Sequence, residues 1–347
     1  MSPQLVVPPF AVITGAQVAD VLTGNEKQVV GLVEEVYRLH GRGDSVNPPS
    51  YFLRFPDRPA SRIIALPAAV GGEQPTDGLK WISSFPENIT AGIPRASAVL
   101  ILNDHATGYP FACLESSIIS ASRTAASAVL AADRLSQKER PRRIGFIGTG
   151  LIARYIHRYL QATDWSFDQL GIHDLSAQHA EGFADYLKSC PGDAPVVVHP
   201  SAEELIRESD LVVFATVAGT PHVHDPSLFG HNPLVLNVSL RDLAPEVLLA
   251  SANFVDDVEH CLKADTSPHL TEQLTGNRNF IDGTLHDVLE GRAEVPTDRP
   301  VVFSPFGLGV LDIALGRYVH DRLRDTGGLD VVEGFFHDLD RYGRKSA

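Results

Sequence analysis

The run Gly148-Thr149-Gly150-Leu151-Ile152-Ala153 follows a short apolar stretch, Ile144 to Ile147, and opens a helix-compatible segment. A glycine turn between strand and helix lets backbone N–H groups at the helix N-terminus meet a pyrophosphate. Gly148 would make the turn, Gly150 would let phosphates approach, and Ala153 would let helix pack on strand. A second apolar run, Leu170 to His173, ends on Asp174, where an acid that holds a ribose 2′-OH is expected. An ordinary strand–helix turn is the competing account. A nicotinamide enzyme would also need cations to hold a substrate carboxylate and a group to move protons. Lys80 lies in the otherwise apolar Gly78-Leu79-Lys80-Trp81-Ile82, and Arg123 in the otherwise uncharged Ser120-Ala121-Ser122-Arg123-Thr124-Ala125-Ala126. Such charges are costly to bury unpaired, so each holds an anion, pairs with a structural acid or reaches out to solvent. Arg54, Arg62 and Arg95 are further candidate cations. Asp242 follows the apolar run Val235 to Val238 by a few residues, where parallel α/β sheets place catalytic groups. It could equally cap a helix starting near Pro245.

The elements that must position these residues follow from periodicity. Residues 14–39 read as an opening helical region with Thr14 as N-cap, ended by Asn47-Pro48-Pro49. Strand-like runs at 51–55, 62–66, 78–83 and 97–103 make a mainly β region. Residues 115–135 are rich in Ala and Ser and read as a tightly packed helix. The charged, Pro-containing stretch 136–143 is a natural boundary. Strands at 143–148, 170–174, 194–199, 211–216, 234–239 and 253–257 then alternate with helices, notably 177–190 and 202–209, which implies a doubly wound parallel sheet. Residues 258–292 read as polar and helical, 301–303 as a short return strand, and 310–324 as a helix. The expected architecture is α/β. A nucleotide-binding domain (137–304) is inserted between a β-rich domain (1–136) and a helical return (305–347), with a ligand cleft between the domains.

At 347 residues and 44% hydrophobic, the chain can bury two sizeable cores. A formal net charge of −14 disfavours nucleic acid or an anionic membrane as partner, but leaves room for a locally basic pocket. Cys113, Cys190 and Cys261 are widely spaced, without a C-x-x-C, and suit reduced, buried thiols in the cytoplasm. Residues 1–12 carry no basic leader pattern, and no apolar run approaches ~20 residues. His222 and His224, beside Asp225, raise the question of a metal; the pattern fits a loop over the cofactor or a surface turn better, and no metal is expected. Asp256, Asp257, His260 and Cys261 read as surface and capping chemistry.

Gly78-Leu79-Lys80, Pro86-Glu87-Asn88, Asn103 to Pro110, Ser122-Arg123-Thr124-Ala125-Ala126 and Gly148-Thr149-Gly150 occur in this order. Together they resemble the ornithine cyclodeaminase/mu-crystallin family over nearly the whole chain. The resemblance implies a Rossmann domain, a substrate and dimerisation domain, and a homodimer. It assigns Arg54, Lys80 and Arg123 to the substrate carboxylate, Asp242 to acid–base catalysis together with Lys80, and Asp174 to the ribose. The last favours NAD over NADP, because no arginine follows Asp174 nearby. It also implies that Arg123, Thr124, Thr149, Leu151, Ile152, Thr216, Val217 and Ser239 join Gly148 and Gly150 around the cofactor. The cyclodeaminases place an acid on the strand matching Arg62-Ile63-Ile64-Ala65-Leu66-Pro67 to hold a side-chain amine; this strand has none. It is similar instead to the subgroup forming 2,3-diaminopropionate for siderophores and peptide antibiotics. The implied substrate is N-(2-amino-2-carboxyethyl)-L-glutamate. A cyclodeaminase, a related dehydrogenase or imine reductase, and a mu-crystallin-like binding protein are the other readings.

Overall fold

The computed structural model describes residues 6–136, 139–192 and 194–336. Parts of the N-terminal stretch, the boundary stretch and the helical return therefore fall outside the described residues. Two eight-stranded sheets organise the chain. The first runs in the order Asp330–Val331, Ala11–Ile13, Pro110–Glu115, Ala96–Asp104, Thr76–Ser84, Arg58–Val70 and Ser45–Val46, with Tyr51–Phe55 also on Arg58–Val70. It is antiparallel except where Ala11–Ile13 joins Pro110–Glu115. Register fixes what each face carries. Leu66, Lys80, Leu100 and Leu114 lie across from one another, so Arg62, Ile64, Leu66, Lys80 and Ile82 share one face. Helix Gly309–Thr326 packs over that sheet.

The second sheet is parallel throughout, in the order Val196–Val198, Gln169–His173, Arg143–Ile147, Leu211–Phe214, Leu234–Asn237, Val301–Ser304, Ala252–Val255, Ile281–Thr284. Its inner strands read as unbroken buried apolar runs, as strands covered on both faces must. Strand order reverses between Arg143–Ile147 and Leu211–Phe214, which places a crevice at their carboxyl ends. Helix Ser117–Leu135 lies between helices Glu26–Gly41 and Leu151–Ala162. Its alanines make that close approach possible: Ala125, Ala126, Ala128, Ala131 and Ala132 are fully buried.

Several expectations need correction. The opening helical region is two helices, Gly15–Leu22 and Glu26–Gly41, because the chain turns at Gly24 and Asn25; Thr14 does cap the first, in a box with Gln17. Residues 301–304 form an interior strand between Leu234–Asn237 and Ala252–Val255. The stretch after Asp257 holds the strand Ile281–Thr284 as well as helices. Strands Ala11–Ile13 and Pro110–Glu115 escaped the pattern reading because each is short and flanked by proline. Of the cysteines, only Cys261 is fully buried; all three are free thiols.

Candidate active site

One end of the crevice is made of backbone. Gly148 has φ +85°, and a Cβ there would lie 2.7 Å from the Ala215 carbonyl oxygen, so only glycine fits. Gly150 is the N-cap of helix Leu151–Ala162; it supplies no side-chain cap, and a Cβ on it would meet open space. Among the described residues no protein acceptor takes the first-turn N–H groups of this twelve-residue helix. Ala153 is fully buried, as close helix-on-strand packing needs. Asp174 ends strand Gln169–His173. One carboxylate oxygen accepts from Thr149 N at 3.0 Å and Thr149 Oγ1 at 2.8 Å, the other from Ser176 N at 2.9 Å. Partial burial pushes this carboxyl up, but the hydrogen bonds from Ser176 and Thr149 outweigh it and hold the pKa below the usual range. Leu151 and Val217 stand exposed at the same strand ends. A glycine turn, free helix N–H groups and an ionised acid form a donor set that fits a dinucleotide.

The other end is a cavity of about 200 Å³ lined by both sheets. Arg54, Arg62, Lys80 and Arg123 reach it from the antiparallel side, Leu240 and Arg241 from the parallel side. Lys80 is 1% exposed; its Nζ donates to Asp312 Oδ2 at 2.6 Å and to Ser120 Oγ at 3.2 Å. Arg123 Nε donates to Asp312 Oδ1 at 3.2 Å. One fully buried acid thus serves two cations and leaves a net positive charge facing the cavity. Burial lowers the Lys80 pKa to about 8; Arg123 adds to that fall, and Asp312 opposes it. The loop over Arg123 is tight. Gly307 has φ +94°, and a Cβ there would lie 2.5 Å from Arg123 Nη1. Asp256 fixes that loop by accepting from Phe306 N at 3.0 Å and Gly307 N at 2.7 Å. Asp256 is itself buried, which corrects its expected place at the surface; Asp257 does cap, accepting from His260 N.

Asp242 lies between these ends and is wholly buried. It does not line the cavity, although its neighbours Leu240 and Arg241 do. Its carboxylate accepts from the hydroxyls of Thr216 and Ser239 and meets His222 Nε2 at 2.9 Å. The helix-cap alternative fails: helix Pro245–Leu249 is capped by Ala244. Leu240 adopts φ +80°, a strained backbone for a branched residue, just before this acid. Among the described residues no group of three His, Cys, Asp or Glu is placed to hold a metal. His222 instead bonds Asp242, and His224 is exposed.

Asp312, Arg241 and the His222–Asp242 contact escaped the sequence reading. Asp312 carried a usable signal, a lone acid in Gly309-Val310-Leu311-Asp312-Ile313-Ala314-Leu315, like those that single out Lys80 and Arg123. Arg241 adjoined the candidate acid but could not be aimed without its loop.

Residues 12–327 match the model of the ornithine cyclodeaminase/mu-crystallin family. The N-((2S)-2-amino-2-carboxyethyl)-L-glutamate dehydrogenase of Staphylococcus aureus is 30% identical over 316 residues, covering 86% of this chain and 91% of that protein. The crystal structure of CmnK superposes with a TM-score of 0.84 at 30% identity, over 94% of this chain and 99% of that one. The Δ1-pyrroline-2-carboxylate reductase of Thermococcus litoralis, solved with NADH and L-proline, shares the fold at a TM-score of 0.85 and 22% identity, over 93% of this chain and all of that one. The chain belongs to the ornithine cyclodeaminase/mu-crystallin family.

Proposed function

We propose that the protein is an NAD-dependent oxidoreductase that converts N-(2-amino-2-carboxyethyl)-L-glutamate, NAD and water into L-2,3-diaminopropionate, 2-oxoglutarate and NADH, with release of a proton. The observation that carries this reading is the charge of the cavity. Lys80, Arg54, Arg62, Arg123 and Arg241 line it, and among the described residues no acid does. That lining suits a substrate with several carboxylates and repels a free side-chain amine. The relative in Staphylococcus aureus supports the same choice. Gly150, Leu151 and Ile152 would carry the cofactor phosphates on backbone N–H groups, Asp174, held by Thr149, the ribose hydroxyls, and Thr124, Thr216, Val217 and Ser239 its remaining edges. The bound cofactor would take up the hydride from the glutamate Cα.

The chain's own residues would do the rest. Lys80 and Arg123, sharing Asp312, would hold the carboxylate beside the reacting carbon, and Arg54, opposite Arg62, would hold a carboxylate further out. The amine nitrogen must lose a proton before hydride departs, and the imine then needs an activated water. The Asp242 carboxylate would accept the proton in both steps. Because it is buried, its protons would pass through the hydroxyls of Thr216 or Ser239, or through His222, whose side chain is 40% exposed. The outer face of the antiparallel sheet exposes Trp81 (41%) and Val99 (42%), with Leu53 and Val12. This apolar surface supports a homodimer through that face.

The test is NADH formation from four substrates: the proposed amine, L-alanine, L-proline and L-ornithine. The proposed amine should be oxidised best, with one 2-oxoglutarate per NADH. Preference for proline or ornithine would overturn the substrate. Tight NAD binding without turnover of any of the four would favour the mu-crystallin-like reading.

A further inference from the structure

Arg54 and Arg62 stand directly opposite each other on neighbouring strands. Arg62 in turn faces Ser84, and Ser84 faces Ala96, the residue after Arg95. Arg241 reaches the same cavity from the loop after Leu234–Asn237, with Nε and Nη2 held by the carbonyl oxygens of Ala264 and Asp265. Leu240, Ala264 and Asp265 all have positive φ, so a strained stretch of backbone aims this one guanidinium. Like charges placed directly across a sheet destabilise it, and half-buried guanidinium groups need a partner. The chain has 43 acidic residues, yet among the described residues none pairs with Arg54, Arg62 or Arg95. Burial, then the neighbouring Arg95, Arg241 and Arg54, pull the Arg62 pKa down.

The positions along the sheet set a distance. Leu66 is the partner of Lys80, and Arg62 lies four residues further along the same face, about 13 Å at strand spacing. Ile64 and Ile82 pair between them and line the cavity floor. The order is thus cation, aliphatic floor, cation. We propose that Arg62 and Arg241, with Arg54 at the rim, form a second carboxylate subsite, so that this site selects substrates with two carboxylates joined by a short aliphatic chain. Arginine forks match planar carboxylates in pairs, and Arg and Lys reaching inwards shorten the gap to that of a glutarate-like arm. This rests on the proposed function only in that both use one cavity.

The test is calorimetric titration of the NAD-saturated protein with glutarate, butyrate and inorganic phosphate. Glutarate should bind at least about tenfold tighter than butyrate, the discrimination expected from one charged hydrogen-bonded group. Arg62→Gln and Arg241→Gln should each bring glutarate close to butyrate and leave butyrate unchanged. Arg62→Gln should not lower the melting temperature, because it removes a repelled, unpaired charge; a fall would mark Arg62 as structural and overturn the subsite. So would equal binding of glutarate and butyrate, discrimination surviving in both variants, or phosphate displacing glutarate at equal concentration. Glutarate discrimination with no amine oxidised would overturn the proposed reaction and keep the subsite. Oxidation with discrimination unaltered in the variants would do the reverse.

Discussion

The glycine turn and the basic cavity lie in one crevice but are built in opposite ways. The turn works through main-chain geometry. Gly148, Gly150 and Ala153 matter for what they lack, and six consecutive residues hold all the parts. The cavity works through side-chain charge. Its cations come from strands, a helix and a loop far apart in the chain, and Asp312 meets Lys80 across 232 positions. A backbone site tolerates changes of side chain on its surface. A charge site is sensitive to each partner, because removing one leaves another buried and unpaired.

Four changes would break or sharpen that contrast. The largest effect is expected between the two ends, at Asp242. Asp242→Asn keeps size, and the hydroxyls of Thr216 and Ser239 can turn to accept from the new amide. Melting and NAD binding should stay near wild type while turnover falls at least about a hundredfold. Turnover within a few-fold, where chemistry limits the rate, would move the proton carrier elsewhere. Next comes Arg123→Ala in the cavity, which should cut kcat/KM roughly tenfold to a hundredfold, the worth of a charged hydrogen bond. NAD affinity should be unmoved; a parallel loss of NAD binding would mean that the two ends are not separable.

At the backbone end, Asp174→Ser should leave amine affinity alone and shift cofactor preference towards NADP. Wild-type protein that already binds NADP more tightly than NAD would refute the role of Asp174. The smallest effect concerns pH. Lys80 is charged below its pKa of about 8 and neutral above it. Its hold on the carboxylate is therefore present at neutral pH and lost as pH rises through about 8, so KM should climb there. Lys80→Arg, whose charge persists, should flatten the climb. A KM indifferent to pH in wild type would place the carboxylate on Arg123 alone.

The same contrast decides what could be read from the sequence. The turn was legible because motif and site coincide along the chain: Gly148 to Ala153, then Asp174 after one more strand. The parallel sheet was legible because its buried strands are unbroken apolar runs. In the cavity, Lys80 and Arg123 stood out as charges in apolar or neutral settings. Their shared partner Asp312 had the same signature, but nothing in the sequence showed that its helix crosses that sheet. Arg241 depends on three positive-φ residues, and neither Leu240 nor Ala264 is of a type that announces such a backbone. The exclusion of Asp242 from the cavity wall likewise follows from loop geometry, not from residue type.

The sharing of Asp312 by Lys80 and Arg123 has an evolutionary consequence. The three positions are epistatic: changing either cation leaves the acid under-compensated, and changing the acid leaves two buried cations repelling each other. Descendants of this chain can leave that arrangement only through a less active intermediate or by simultaneous substitutions. Arg62 and Arg95 have no acid to strand, so they can be exchanged one at a time. Divergence towards new substrates should therefore accumulate at the arginines, while the grip on the first carboxylate stays frozen.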